Sequence, residues 1–88
     1  MKRERLYRVA IQELPAVTVD YYLTIDDSAE EKYGVCLVKT TDRVLIEEFV
    51  SIDHISRDSY EMRALIARLA KGEVLPITLA DIIDDYLI

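Results

Sequence analysis

The sequence predicts an α+β fold: a four-stranded antiparallel meander followed by two C-terminal helices packed on one face of the sheet (ββββαα). Two observations predict it. Apolar residues alternate with a period of two over residues 6–52, which is typical of strands, and then recur with a period of 3.6 over residues 58–88, which is typical of helices. Short polar reversals between the strands favour antiparallel neighbours. With 88 residues in the chain, we expect a single domain over residues 1–88.

The first two predicted strands each have one apolar face. Leu6 to Gln12 alternates, and the proline at position 15 cannot donate to a ladder, so we expect the chain to reverse there. Val17 to Ile25 gives the clearest strand pattern. A slip of one residue would expose its whole apolar face, so its register is tightly specified. That face consists of Val17, Val19, Tyr21, Leu23 and Ile25.

The third and fourth predicted strands follow a polar loop at residues 26–31. Tyr33 to Thr40 is apolar on both faces, which is typical of a strand inside a sheet covered on both sides, or at an interface. Arg43 to Ile52 places Glu48 on one face and Phe49 on the other. The sheet face away from the helices is expected to be partly apolar, which would favour self-association. It would carry Tyr22, Cys36 and Val38 or their alternation partners.

The first predicted helix has a signal at both ends. Asp58 is an acidic cap with Glu61 three residues later, and Gly72 is expected to supply the left-handed residue that commonly follows a helix. One apolar stripe lies between them. It consists of Met62, Leu65, Ile66 and Leu69.

The second predicted helix lies within Pro76–Ile88. Thr78 is expected to cap it by accepting a bond from the Asp81 amide, which places Asp81 in the first turn, where the helix dipole favours a carboxylate. Its apolar face predicts packing over the meander beside the first helix. That face consists of Leu79, Ile82, Ile83 and Tyr86.

The acidic end of this helix has no explanation in the fold. Asp84 and Asp85 lie in the predicted last turn, where the dipole disfavours each anion by roughly 0.3–1 kcal/mol. Four alternatives stay open: a plain solvated face, pairing with cations of the first helix, a metal ion held with Asp81, or contact with a basic partner. The candidate partner-binding residues are Asp81, Asp84, Asp85 and Tyr86.

Composition and charge narrow the function classes. The net charge is −6, with +3 in residues 1–8 and −9 in the other eighty, so nucleic acid could bind only through the short basic start and is not expected as a partner. The single cysteine, Cys36, allows no internal disulfide. No apolar run is as long as that of a signal peptide or of a membrane-spanning segment, so we expect a cytoplasmic protein without a membrane partner.

No catalytic constellation is recognisable. His54 is the only histidine, and its neighbour Asp53 would usually point elsewhere, so the pair is not expected to form a general base with its orienting group. Cys36 lies among apolar strand residues, where a thiol packs as a small hydrophobe. We therefore expect no enzyme activity, no cofactor and no metal site.

The C-terminal half resembles a family of short uncharacterised proteins of Gram-positive bacteria, a domain of unknown function. The resemblance lies in Tyr33-Gly34-Val35 and in the closing segment from Leu75 to Leu87, a proline followed by Leu-x-Asp-Ile-Ile-acid-Asp-aromatic-Leu. It implies a bacterial protein without an assigned activity.

Together these observations favour a small interaction or regulatory module, either a homo-oligomer or a partner of another protein. A domain that binds a small ligand or metal ion through the acidic helix is the alternative.

Overall fold

A computed structural model describes residues 1–12, 15–41 and 44–87, with side chains described in 1–12, 15–41 and 47–87. It contains four strands and two helices. These are β1 (Lys2–Ile11), β2 (Val17–Ile25), β3 (Tyr33–Thr41), β4 (Val44–Ser56), α1 (Ser59–Lys71) and α2 (Pro76–Tyr86). The strands form one antiparallel sheet in the order β1-β2-β3-β4. The predicted α+β meander is therefore confirmed.

The core lies between the helices and one face of the sheet, which we call the inner face. The predicted apolar residues of β2 point into this core, with Val19, Tyr21 and Leu23 fully buried. The α1 helix contacts all four strands, whereas α2 contacts β3 and β4. The Tyr21 hydroxyl donates to the Val74 carbonyl oxygen at 2.8 Å, which ties the sheet to the connection between the helices.

The β1 strand begins at Lys2, so the prediction that it starts at Leu6 is wrong. The pairing with β2 extends to Lys2 opposite Ile25, and an irregularity at Leu6 shifts the register between Arg5 and Tyr7. This bulge changes the phase of the alternation, because Leu6 and the next residue, Tyr7, both lie on the inner side of the strand. Glu4 lies on the inner face, where it accepts from Arg63 of α1 at 3.1 Å.

The β4 strand continues to Ser56, four residues beyond the predicted end at Ile52. It bulges as it passes Gly34, and His54 in the bulge has a φ of 59°. A β-carbon at Gly34 would collide with the Ile52 carbonyl oxygen and lie 2.7 Å from the Asp53 α-carbon, so only glycine fits beneath this bulge. The predicted start at Arg43 lies outside the described residues.

Two helix-end predictions are wrong. The N-cap of α2 is Leu75 and not Thr78, because Pro76 has the fixed φ that suits a first helical position. Thr78 lies inside the first turn, where its hydroxyl donates to the Leu75 carbonyl oxygen at 3.1 Å, and Asp81 lies beyond the first turn. After α1, Gly72 has a φ of −83°, and the residue with positive φ is Glu73 at 53°.

The Asp58 cap of α1 is confirmed. Its carboxylate accepts from the Tyr60 amide at 2.9 Å and from the Glu61 amide at 3.3 Å. Among the described residues, neither helix is long and apolar enough to cross a membrane.

Candidate functional site

The four residues predicted as a partner site on α2 differ in their environments. Asp81, Asp84 and Asp85 are exposed. Tyr86 is partly buried against the core, and its hydroxyl donates to the Glu61 carboxylate.

The three aspartates have no ion-pair partner in the part of the chain with described side chains. Arg63, one of the α1 cations considered as a partner for them, pairs instead with Glu4 of β1. Within the same part of the chain, no three His, Cys, Asp or Glu side chains are grouped so that they could hold a metal ion.

The sheet surface away from the helices, which we call the outer face, is a second candidate. Strand register places its described residues in rows that cross the sheet. No described helix covers this face, since both helices pack on the inner one. Its residues are Arg3, Arg5, Arg8 and Ala10 of β1, Thr18, Asp20, Tyr22 and Thr24 of β2, Cys36, Val38 and Thr40 of β3, and Glu47, Phe49 and Ser51 of β4.

The centre of the outer face is apolar and closely packed. Cys36 is 3% exposed and Val38 is 9% exposed, although no helix lies above them. Arg3 covers part of this surface, because its guanidinium lies 4.5 Å from the centre of the Tyr22 ring and its Nη1 lies 3.9 Å from the Cys36 sulfur. The aliphatic stem of an arginine can shield apolar atoms in this way.

An ion pair between Arg8 of β1 and Asp20 of β2 lies on the outer face. Arg8 Nε donates to Asp20 Oδ1 at 2.7 Å and Arg8 Nη2 donates to Asp20 Oδ2 at 3.2 Å. Asp20 is only 7% exposed, and burying an unpaired carboxylate would be costly. The bidentate ion pair with Arg8 provides hydrogen-bond donors to both of its oxygens. The same bond raises the pKa of Arg8.

Phe49 is the exposed apolar residue of the outer face. It pairs with Val38 on β3, and 68% of it is exposed to solvent. Full burial of a phenylalanine side chain is worth about 1.5–3 kcal/mol, so the isolated chain leaves that stabilisation unused. Phe49 is therefore the residue of this face with most to gain from a partner.

The charges on the outer face are separated between its two edges. The arginines lie along β1, whereas Glu47 lies on β4, where Asp53 also accepts from Ser51 Oγ at 3.0 Å. One edge of the face is therefore basic and the opposite edge acidic.

A polar cluster closes one end of the sheet, where the β2–β3 loop meets the β4 bulge. His54 Nε2 lies 2.8 Å from Asp26 Oδ2, while Asp26 Oδ1 accepts from the Ser28 hydroxyl at 2.7 Å and from its amide at 3.1 Å. The Ser28 hydroxyl and His54, followed by the Ser28 amide, lower the pKa of Asp26 to about 2. This cluster holds the loop against the bulge.

The sequence pattern indicated part of the outer face, but the partner site predicted from the sequence lay on α2. Alternation correctly placed Phe49 opposite the face of Glu48, and it offered Tyr22, Cys36 and Val38 as a possible uncovered patch. Glu48 lies on the opposite, inner face, where its Oε2 lies 3.9 Å from Lys39 Nζ on the adjacent strand. The Arg8–Asp20 pair was missed, although the register of two adjacent alternating strands could have suggested it.

Comparisons with known proteins assign a family. Searches of the curated proteins and of the solved structures found no match. The family model DUF6514, described as a family of unknown function, matches residues 2–88, which is almost the whole chain. This protein therefore belongs to the family of unknown function DUF6514.

Proposed function

We propose that this chain is a small non-catalytic protein–protein interaction module, acting as a subunit of an oligomer or as a regulatory partner, and that it binds through the outer face. The observation that carries the proposal is the exposed Phe49, which lies beside Cys36 and Val38 on a sheet face that no described helix covers. β3 is apolar on both sides, yet the described helices cover only one. A strand with this composition is typical of a sheet covered on both faces, and a protein partner would supply the second cover.

The arginines beside the apolar centre support the same proposal. Aromatic residues and arginine are enriched in protein interfaces, whereas lysine and glutamate are depleted there. The outer face has Tyr22 on a central strand, Phe49 on the β4 edge, and Arg3, Arg5 and Arg8 on the β1 edge. Aromatic and arginine side chains are among the residues that most often supply the binding energy of an interface.

A site-specific photocrosslinker tests the proposal. Benzoylphenylalanine replaces Phe49 in one variant and Tyr60 in a control variant, since Tyr60 is 84% exposed on α1, away from the sheet. After irradiation in the native host cell, position 49 should yield a discrete cross-linked protein band and position 60 should not. Equal labelling at both positions, or none at position 49, would count against the outer face as a binding surface.

The proposal also places the chain in the cytoplasm of a Gram-positive bacterium. Its support is the sequence resemblance together with a single cysteine, which cannot form an internal disulfide. Cell fractionation with an antibody against the chain tests the location.

A further inference from the structure

We propose that the partner on the outer face is a second copy of this chain, in a symmetric dimer whose two-fold axis runs parallel to the strands. This inference rests on the proposed function and names the partner. The two outer faces would stack as a pair of sheets, with the helices of each copy on the outside.

The distribution of charge supports a second copy. The whole chain carries a net charge of −6, so two copies repel each other over most of their surfaces. On the outer face, however, the three arginines of β1 are matched by the carboxylates of Asp20, Glu47 and the neighbouring Asp53. This surface can approach itself without the repulsion that the rest of the molecule imposes.

The separation of charge between the edges selects the symmetry axis. An axis perpendicular to the strands would place β1 over β1 of the other copy and oppose arginine to arginine. An axis parallel to the strands places β1 over β4 of the other copy, so the arginine edge meets the edge that holds Glu47 and Asp53. Electrostatic complementarity of this kind suppresses the wrong arrangement and sets the register.

Strand register then defines which residues meet. Arg8, Asp20, Val38 and Phe49 form one row across the sheet. Rotation about an axis parallel to the strands keeps residues in their row, so Arg8 of one copy lies over Phe49 of the other. A guanidinium over an aromatic ring is a favourable contact that strengthens when water is excluded. Two such contacts form in each dimer, and they bury the most exposed aromatic ring of the outer face.

The size of the face sets the expected affinity. With strands about 4.8 Å apart and a rise of about 3.3 Å per residue, four strands of nine residues cover on the order of 500 Å² in each copy. This is smaller than the roughly 800 Å² per partner of a standard stable interface. We therefore expect a reversible dimer with a dissociation constant in the micromolar range.

Sedimentation equilibrium of the full chain, over concentrations from low micromolar to millimolar, is the first test. Phe49→Lys should weaken the dimer at least tenfold, because it places a cation opposite Arg8, whereas Phe49→Trp should preserve it. Tyr60→Lys is the matched control, since it makes the same change at an exposed aromatic residue on α1. Circular dichroism of each variant verifies that the fold is retained.

Cross-linking between copies tests the axis. Ala10 and Glu47 lie in one row at opposite edges of the outer face. In the proposed dimer, position 10 of one copy lies over position 47 of the other. A short bismaleimide that bridges stacked sheets, about 10 Å apart, should join Ala10→Cys to Glu47→Cys when the two variants are mixed, and neither variant to itself. The wild-type chain, whose buried Cys36 is its only cysteine, controls for background.

Each outcome separates this inference from the proposed function. The proposal that a second copy binds the outer face is contradicted if the chain is monomeric at every concentration, or if Phe49→Lys does not weaken the dimer. If the photocrosslinker at position 49 then captures a different protein, the proposed function stands with another partner. Self-cross-linking of Ala10→Cys alone overturns the axis parallel to the strands.

Discussion

At the scale of single residues, Gly34 is the position where the backbone leaves least room. The β4 strand bulges over it, and a β-carbon there would lie 2.7 Å from the Asp53 α-carbon and 2.8 Å from the Thr24 hydroxyl oxygen. Two of the neighbouring groups belong to the backbone and cannot move aside independently. The bulge and the glycine therefore depend on each other.

We expect Gly34→Ala to destabilise the fold by about 1–3 kcal/mol, the usual cost of overpacking. Gly72→Ala is the matched control, because its β-carbon would approach no atom closer than 3.4 Å and its φ is −83°. That change should stabilise by about 0.4–1 kcal/mol, since alanine restricts the unfolded chain. Urea denaturation measures both, and equal effects would contradict the proposed crowding at Gly34.

The Asp26 carboxylate makes stability depend on pH in the acid range. Its pKa is lowered to about 2 in the fold by Ser28 and His54, from about 4 in an unfolded chain. A lowered carboxyl pKa stabilises the fold above the unfolded value, and this contribution is lost as the pH falls from about 4 to 2. Asp26→Asn should flatten the pH profile of urea denaturation in that window. The neighbouring Asp27→Asn should leave the profile steep, because the ion pair between Asp27 Oδ2 and Lys2 Nζ, at 3.6 Å, is exposed to solvent.

At the scale of the elements, the two helices have opposite charge arrangements. The α1 helix has an acidic N-cap at Asp58 and basic residues in its last turn. The α2 helix has no side-chain cap and no basic residue in its last turn, where Asp84 and Asp85 lie. The macrodipole thus stabilises α1 and opposes the charges of α2.

Replacing aspartate by alanine at the start of α1 and at the end of α2 should therefore change the stability of the fold in opposite directions. Asp58→Ala removes acceptors from two amides and should cost about 1 kcal/mol. Asp85→Ala removes an anion from the negative end of the dipole and should stabilise by about 0.3–1 kcal/mol. Thermal denaturation at low ionic strength measures both. A loss of stability in Asp85→Ala would indicate that this carboxylate has a structural role.

The elements were predictable where one physical preference dominated. The alternation of β2 and the capped, periodic α1 left no competing interpretation, and both were predicted correctly. The start of β1 was missed because Lys2 to Arg5 show no apolar alternation, and pairing with β2 holds them in the sheet instead. The positive φ after α1 falls on Glu73, because Gly72 is the C-cap itself and the left-handed position is the next residue, with the Glu73 and Val74 amides donating to the Ala70 and Leu69 carbonyl oxygens.

The candidate site was less predictable than the fold. Alternation assigns residues to faces, but only the tertiary structure decides which face the helices cover. For that reason Phe49 could be placed beside Ser51 from the sequence, whereas its exposure could not be foreseen. The sequence likewise could not show that Arg63 pairs with Glu4, near the other end of the chain, and not with an aspartate of α2.

At the scale of the whole molecule, two tyrosines join its parts. Tyr21 connects the sheet to the turn between the helices, and Tyr86 connects α2 to α1 through Glu61. Burial raises the pKa of Tyr21 to about 12, with a further contribution from the charge of Glu73. Burial, followed by the bond to Glu61, raises the pKa of Tyr86 to about 12.

Alkaline conditions should therefore loosen the packing of the helices. The unfolded tyrosines lose their protons near pH 10, so the stabilisation is complete below pH 10 and is lost as the pH rises from about 10 to 12. Tyr86→Phe should lower stability at neutral pH but reduce its decline in this window. Tyr60→Phe removes an exposed hydroxyl and should leave the profile unchanged. Guanidinium denaturation between pH 8 and about 12 gives the comparison.

The order of the strands in the sheet matches their order in the chain, which has a consequence for the folding pathway. Each hairpin closes a short loop, whereas α2 reaches β3 and β4 only after the intervening chain is arranged. We expect the central hairpin to be formed in the transition state and α2 to dock late. In stopped-flow experiments, Val35→Ala in β3 should mainly slow folding, and Ile83→Ala in α2 should mainly accelerate unfolding. A chain that folds in this order exposes Leu37 and the rest of its inner face until the helices arrive, so its aggregation should compete with folding at that step.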